Sequence, residues 1–167
     1  MPDYMTFPGA SMLDIERQCL HDLAAQAAVE FGPDCVIVNI GVALGASCVC
    51  LRAGAPGAIL TGVDIDPDAA KGDWAFIRAD SRRFALPAPI HLLFIDGAHD
   101  YEAVKSDIVG WTPAVVPGGI VAFHDYGNHD LIPWTAGVKR AVDELMADGW
   151  QAAGAVGSIK MFRRAGV

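Results

Sequence analysis

Residues Leu92–Tyr126 read LLFIDGAHDYEAVKSDIVGWTPAVVPGGIVAFHDY. Ile90–Ile95 is a largely apolar run of strand length that ends at Asp96. Beyond it, Tyr101, Val104, Ile108 and Trp111 recur at 3–4–3 spacing, which predicts a helix lying on a sheet. Pro113 ends or kinks that helix, and Pro117-Gly118-Gly119 predicts a firm stop before a second apolar strand, Ile120–Phe123. Strands that are apolar throughout, joined by a helix, belong to a parallel sheet covered on both faces. Asp96 and His99 follow the first strand, and His124 and Asp125 follow the second, so four ionisable residues reach one edge of that sheet.

Working outward, Ser11-x-x-Asp14 reads as a capping box ahead of Met12, Ile15, Cys19, Leu23 and Ala27, predicting a helix over about residues 11–32. Cys35–Ile40 is a strand whose one polar residue is Asn39, and a glycine-containing turn, Gly41 to Gly45, leads into a short helix over Ala46–Ala53. Strands follow at Ala58–Val63, ending in Asp64, and at Trp74–Ala79, ending in Asp80. Thr135–Ala147 is a last amphipathic helix, and Trp150–Val156 with Ile159–Arg163 fit a terminal strand pair. The expected fold is α/β: a doubly wound, mostly parallel sheet with a terminal antiparallel strand pair.

A chain of 167 residues suits a single domain spanning 1–167. The net charge of −8, with Arg82-Arg83 and Arg163-Arg164 as the densest basic groups, speaks against a nucleic-acid partner. No apolar run reaches membrane-spanning length, and the N-terminal MPDYMTFPGAS lacks the pattern of a secretory signal, so a cytoplasmic location away from membranes is expected. Cys19, Cys35, Cys48 and Cys50 lack C-x-x-C spacing and read as reduced, buried thiols.

In sheets of this class ligands bind beyond the carboxyl ends of the strands. Gly41-x-x-x-Gly45 lets a backbone approach a ligand closely at a helix N-terminus, and Asp64 is placed to accept ribose hydroxyls. A dinucleotide fingerprint wants G-x-G-x-x-G, and residue 43 is Ala, so a nucleoside without phosphates fits better.

Here the sequence resembles the class I S-adenosylmethionine (SAM)-dependent methyltransferases. The nearest likeness is to small O-methyltransferase-like families with F-I-D-G-x-H-x-Y-E and P-G-G-x-x-x-x-H-D-Y motifs. They appear here as Phe94–Glu102 and as Pro117-Gly118-Gly119 through His124-Asp125-Tyr126. The resemblance implies a SAM-binding half over about 35–96 and an acceptor-side half over about 97–167. It implies that Asn39, Gly41, Gly45, Ser47, Asp64, Asp80, Ser81 and Asp96 bind SAM. It further implies that Asp96, His99 and His124 are catalytic, and that Asp96, His124 and Asp125 hold a divalent cation such as Mg2+ or Mn2+. The chain departs from the pattern at Asn39, where the family carries an acid, and at Pro67–Trp74, which is shorter than the usual helix.

Methyl transfer from a sulfonium is an in-line displacement, so the protein's task is to position the acceptor and help remove its proton. Either His99 or His124 is a candidate base, and Trp134 is the aromatic placed to stack on an acceptor. The expected activity is methylation of a hydroxyl on a small molecule, and the small lid leaves room for a homodimeric partner. An NAD(P)-dependent oxidoreductase and a SAM-binding module without turnover stand as alternatives.

Overall fold

The computed structural model describes residues 3–6, 12–87, 89–128 and 130–166. The Ser11 cap and His129 therefore lie outside the described residues. Two helices, α1 (Asp3–Thr6) and α2 (Asp14–Phe31), precede the strands β1 (Val36–Ile40), β2 (Ile59–Asp64) and β3 (Ala75–Arg78), with α3 (Ala46–Gly54) between β1 and β2. Next come β4 (Ile90–Ile95), α4 (Tyr101–Trp111), β5 (Val115–Phe123), α5 (Ala136–Leu145) and the hairpin of β6 (Trp150–Val156) with β7 (Ile159–Arg164).

The seven strands form one sheet in the order β3-β2-β1-β4-β5-β7-β6. β1 to β5 run parallel, and β7 pairs antiparallel with both β5 and β6. The order reverses between β1 and β4, the switch point at which such sheets open a crevice.

Alternation along the central strands fills two cores. Ile37, Leu92, Phe94, Ile120 and Ala122 face one cluster with α2 and α3, whereas Val38, Ile40, Leu93, Ile95, Val121 and Phe123 face the other with α4 and α5. No described helix is long and apolar enough to cross a membrane.

Three sequence expectations need correction. The Pro117-Gly118-Gly119 segment does not stop the chain before a strand; it lies inside β5. The ladder pairs Ile90 with Val115 and then Leu92 with Ile120, so the intervening residues of β5 bulge outward. Pro117 has no N–H for the ladder, and Gly118 takes the positive φ of +81° that the bulge requires.

The expected stripe through Met12, Cys19, Leu23 and Ala27 is buried, but Ile15 is 58% exposed, and Glu16, Arg17, Leu20 and Ala24 are buried in addition. Finally, α5 is shorter than expected, since Pro133–Thr135 forms a separate 3-10 turn ahead of it.

Trp111 is fully buried and Trp150 half-buried. Trp111 packs edge-on against Phe84, and its Nε1–H donates to the Ser81 carbonyl at 2.9 Å, tying the core to the loop after β3. Trp111→Ala is expected to cost about 3–5 kcal/mol in urea denaturation. Trp111→Phe, which keeps a ring but leaves the Ser81 carbonyl without its donor, is expected to cost about 1 kcal/mol.

Candidate active site at the carboxyl edge of the sheet

The glycine turn after β1 is held at close range. A Cβ on Gly41 would lie 2.0 Å from the Asp96 carbonyl oxygen, and its φ is +82°, so only glycine fits. Asp64 clamps the turn from β2: its Oδ2 accepts the Val42 and Ala43 N–H groups at 2.7 and 2.9 Å, and its Oδ1 accepts that of Asp66 at 2.9 Å. Asn39 props the same turn from below. It is fully buried, its Nδ2 donates to the Gly41 carbonyl at 3.1 Å and lies 3.2 Å from Cys48 Sγ, and its Oδ1 has no hydrogen-bond partner.

A cavity of about 460 Å3 opens above this turn. Of the residues singled out from the sequence, Gly41, Asp64, Asp80, Ser81, Asp96, His99, Asp125 and Trp134 line it. Asn39, Gly45, Ser47 and His124 are not among its lining residues, and Gly45 instead faces Ala70 and Trp74. Asp80 accepts hydrogen bonds from the Arg82 side chain and N–H, which hold its carboxyl below the usual range. A larger groove of about 850 Å3 lies beside α3 and Trp74, but it contains none of the ionisable residues from the strand ends.

The ends of β4 and β5 converge on one cluster. His99 Nε2 is 2.9 Å from Asp125 Oδ2 and 3.8 Å from Asp96 Oδ1. His124 Nδ1 is 3.2 Å from Asp96 Oδ1 and 3.3 Å from Asp125 Oδ2. Despite these distances, His124 Nδ1 and His99 Nε2 are buried without a well-aligned hydrogen bond. Asp125 adopts a positive φ of +59°, a conformation that Asp tolerates better than most residues. Its backbone N–H donates to Ser158 Oγ at 3.3 Å, and its Oδ1 accepts from Asn128 Nδ2 at 2.6 Å.

The carboxylates and imidazoles of this cluster shift one another's titration. Asp125 first and Asp96 second raise His99 to about 9. Burial works to lower His124, but the carboxylates of Asp125, Asp96 and Glu16 outweigh it and raise His124 to about 12. Burial raises Asp125, yet the two imidazoles hold it well below the carboxylate range.

Two acids were missed in the sequence. Glu16 on α2 is 1% exposed and reaches His124 Nε2 with its Oε2 at 3.3 Å. Asp107 on α4 is equally buried, lines the cavity and keeps an Oδ1 without a partner. Burial raises Asp107 to about 6 against an opposing hydrogen bond from Ser81. The legible signal for both is an acid on the apolar stripe of its helix.

Asp96, His124 and Asp125 each present one donor atom, all within 4.8 Å of one another. Two carboxylates and a buried imidazole nitrogen lacking a well-aligned partner fit a divalent cation.

A methyltransferase-domain family model matches residues 38–126. Among curated proteins, an uncharacterized protein of Acanthamoeba polyphaga mimivirus is 38% identical over 63 residues, 38% of this chain and 27% of the viral protein. Among solved structures, the MycE methyltransferase of the mycinamycin biosynthetic pathway, in complex with Mg and SAH, superposes with a TM-score of 0.70 at 13% identity. That match covers 98% of this chain and 55% of the other. An O-methyltransferase from Bacillus cereus in complex with SAH gives a TM-score of 0.70 at 15% identity, over 95% of this chain and 84% of that one. These structures share the fold, and the chain spans about half of the mycinamycin enzyme and about a quarter of the viral protein.

Two titrations test the electrostatics. In metal-free protein, NMR should place the His99 midpoint near 9, and Asp125→Asn should bring it down toward the ordinary value of 6.5. Because the folded value is raised, the stability His99 contributes is complete below its unfolded value and is lost as pH climbs through about 9. Asp107 acts in the same sense from a different cause: burial disfavours its ionised form, so between 3.8 and about 6 the unfolded chain ionises while the folded one keeps its proton, and stability falls as pH rises through that window. Asp107→Asn should therefore raise the thermal midpoint above pH 6 and leave it unchanged near pH 3.

Proposed function

The chain belongs to the methyltransferase-domain family, and on that premise we propose that it transfers the methyl group of SAM to a hydroxyl of a small molecule. The observation that carries this reading is the single cavity lined both by the clamped glycine turn with Asp64 and by Asp96, His99 and Asp125. The first set suits a nucleoside without phosphates, and the second suits a hydroxyl that must lose its proton.

Gly41, lacking a Cβ, lets the turn after β1 pack against the Asp96 and Gly97 backbone, and the amino-acid end of SAM would lie against that junction. Asp64 has acceptor capacity left for the ribose, and Asp80 and Ser81 border the place for adenine. Asn39 supports the turn through its bond to the Gly41 carbonyl. The acceptor oxygen attacks the methyl carbon in line, the C–S bond breaks with its electron pair left on sulfur, and the hydroxyl proton passes to the neutral form of His99, whose share grows as pH rises toward about 9. Trp134, edge-on to His99 at 4.8 Å between ring centres and 62% exposed, forms a rim against which the acceptor can stack.

A divalent cation held by Asp96, His124 and Asp125 would lower the pKa of the acceptor hydroxyl and orient it. The four free, buried cysteines agree with a reducing, cytoplasmic setting. The fold leaves the acceptor-side rim to short segments, which a second copy of the chain could extend.

Calorimetry with SAH and, separately, NADH is the first test, followed by transfer of labelled methyl from SAM to a panel of sugars and phenols. We expect micromolar SAH binding, no NADH binding and label on a hydroxyl acceptor. Asp96→Asn should lower turnover at least 100-fold while SAH still binds. NADH binding in place of SAH would reverse the assignment, and SAH binding without transfer to any acceptor would leave a binding module.

A further inference from the structure

Glu16 is the least expected residue of the site. It lies on α2, more than a hundred residues before His124 in sequence, and is 1% exposed. Each of its contacts is with a donor. Oε1 accepts the Ser158 N–H and the Ser158 hydroxyl, both at 2.7 Å, and Oε2 accepts the Leu13 N–H at 2.9 Å. Burial would raise the carboxyl, but these hydrogen bonds together with His124 bring it to about 2. The turn between β6 and β7 is pressed onto it: a Cβ on Gly157, whose φ is +58°, would lie 2.6 Å from Oε1.

An acceptor-only carboxylate 3.3 Å from His124 Nε2 requires the hydrogen of the ring to sit on that nitrogen. In the neutral imidazole the lone pair then belongs to Nδ1, the atom facing Asp96 and Asp125. Metal-binding histidines characteristically donate their second ring nitrogen to such a carboxylate, which fixes tautomer and orientation and raises ligand basicity.

We propose that Glu16 is a positioning residue that makes His124 Nδ1 a metal ligand, turning the two carboxylates of Asp96 and Asp125 into a mixed oxygen–nitrogen site that favours Mn2+ over Mg2+. This rests on the cation-assisted reading of the same cavity. A purely oxygen-lined site suits Mg2+, and an imidazole in the set moves preference toward the later divalent ions. Ser158 couples the arrangement to Asp125 as well, since its hydroxyl donates to Glu16 and accepts the Asp125 N–H.

The test is calorimetric titration of metal-free protein with Mn2+ and with Mg2+, comparing wild type with Glu16→Gln, alongside SAH titration of both. Gln keeps the shape but turns an NH2 group toward partners that are themselves donors. The expected result is at least tenfold tighter binding of Mn2+ than Mg2+ in wild type. Glu16→Gln should then lose about 10- to 100-fold in Mn2+ affinity while SAH affinity is unchanged. Equal Mn2+ affinity in the two proteins, or none in wild type, overturns the proposal. Absence of SAH binding to wild type overturns the methyltransferase reading instead.

If Glu16→Gln does not fold, long-range 1H–15N NMR of wild type with Zn2+ decides. The proposal requires the His124 Nδ1 resonance to shift while Nε2 keeps its proton. A shift at Nε2, or at neither nitrogen, overturns it.

Discussion

A carboxylate sealed inside a protein must be met by donors on every side, and Glu16 imposes that demand on this fold. Its partners come from the entry to α2, from the far end of β5 and from the β6–β7 turn, at Leu13, His124 and Ser158. Each of these segments is fixed by the same pair of oxygens, so none can shift without leaving a buried charge uncompensated. The hairpin that closes the sheet is thereby keyed to the residue pair at the end of β5, and through it to Asp96 on β4.

The sheet contributes the other half of the arrangement. Parallel strands on either side of the switch point deliver their last residues to one edge, where the backbone ladder ends and side chains are free to turn toward a ligand. There the chain sets two imidazoles among three carboxylates, and each type of group offsets the cost of burying the other. The glycine turn is built from different material. Its shape depends on backbone N–H groups caught by Asp64 and on Asn39 below, so the nucleoside side of the cavity is held by hydrogen bonds and the reacting side by charge.

The mostly parallel sheet was legible because largely apolar runs ending in Asp64, Asp80, Asp96 and Asp125 admit few arrangements other than buried parallel strands with a polar edge. Local ambiguity hid the rest. On α2 the spacing through Ile15 and the spacing through Leu20 are both helical, and only packing against the sheet decides that Glu16 rather than Ile15 turns inward. Asp107 was passed over for the same reason, lying on the stripe that also carries Val104, Ile108 and Trp111. Pro117-Gly118-Gly119 has every mark of a break, yet pairing on both sides of it lets one strand absorb the interruption as a bulge. Asn39 could be recognised as a departure from the family, whereas its work as a prop beneath the turn depends on where Cys48 and the Gly41 carbonyl fall.

The outermost strand of the sheet, β6, pairs on one side with β7, and its register slips between Ala152 and Gly154, where Gly154 takes a φ of +124°. Such a slip twists the strand and interrupts the row of outward-facing amides and carbonyls that another extended chain would need as a template. Sheet growth by strand addition is discouraged there by geometry alone, in a segment of alanine, glycine and valine that carries no charge to repel a newcomer. A regular pairing at position 154 would straighten that row and leave it open to self-association.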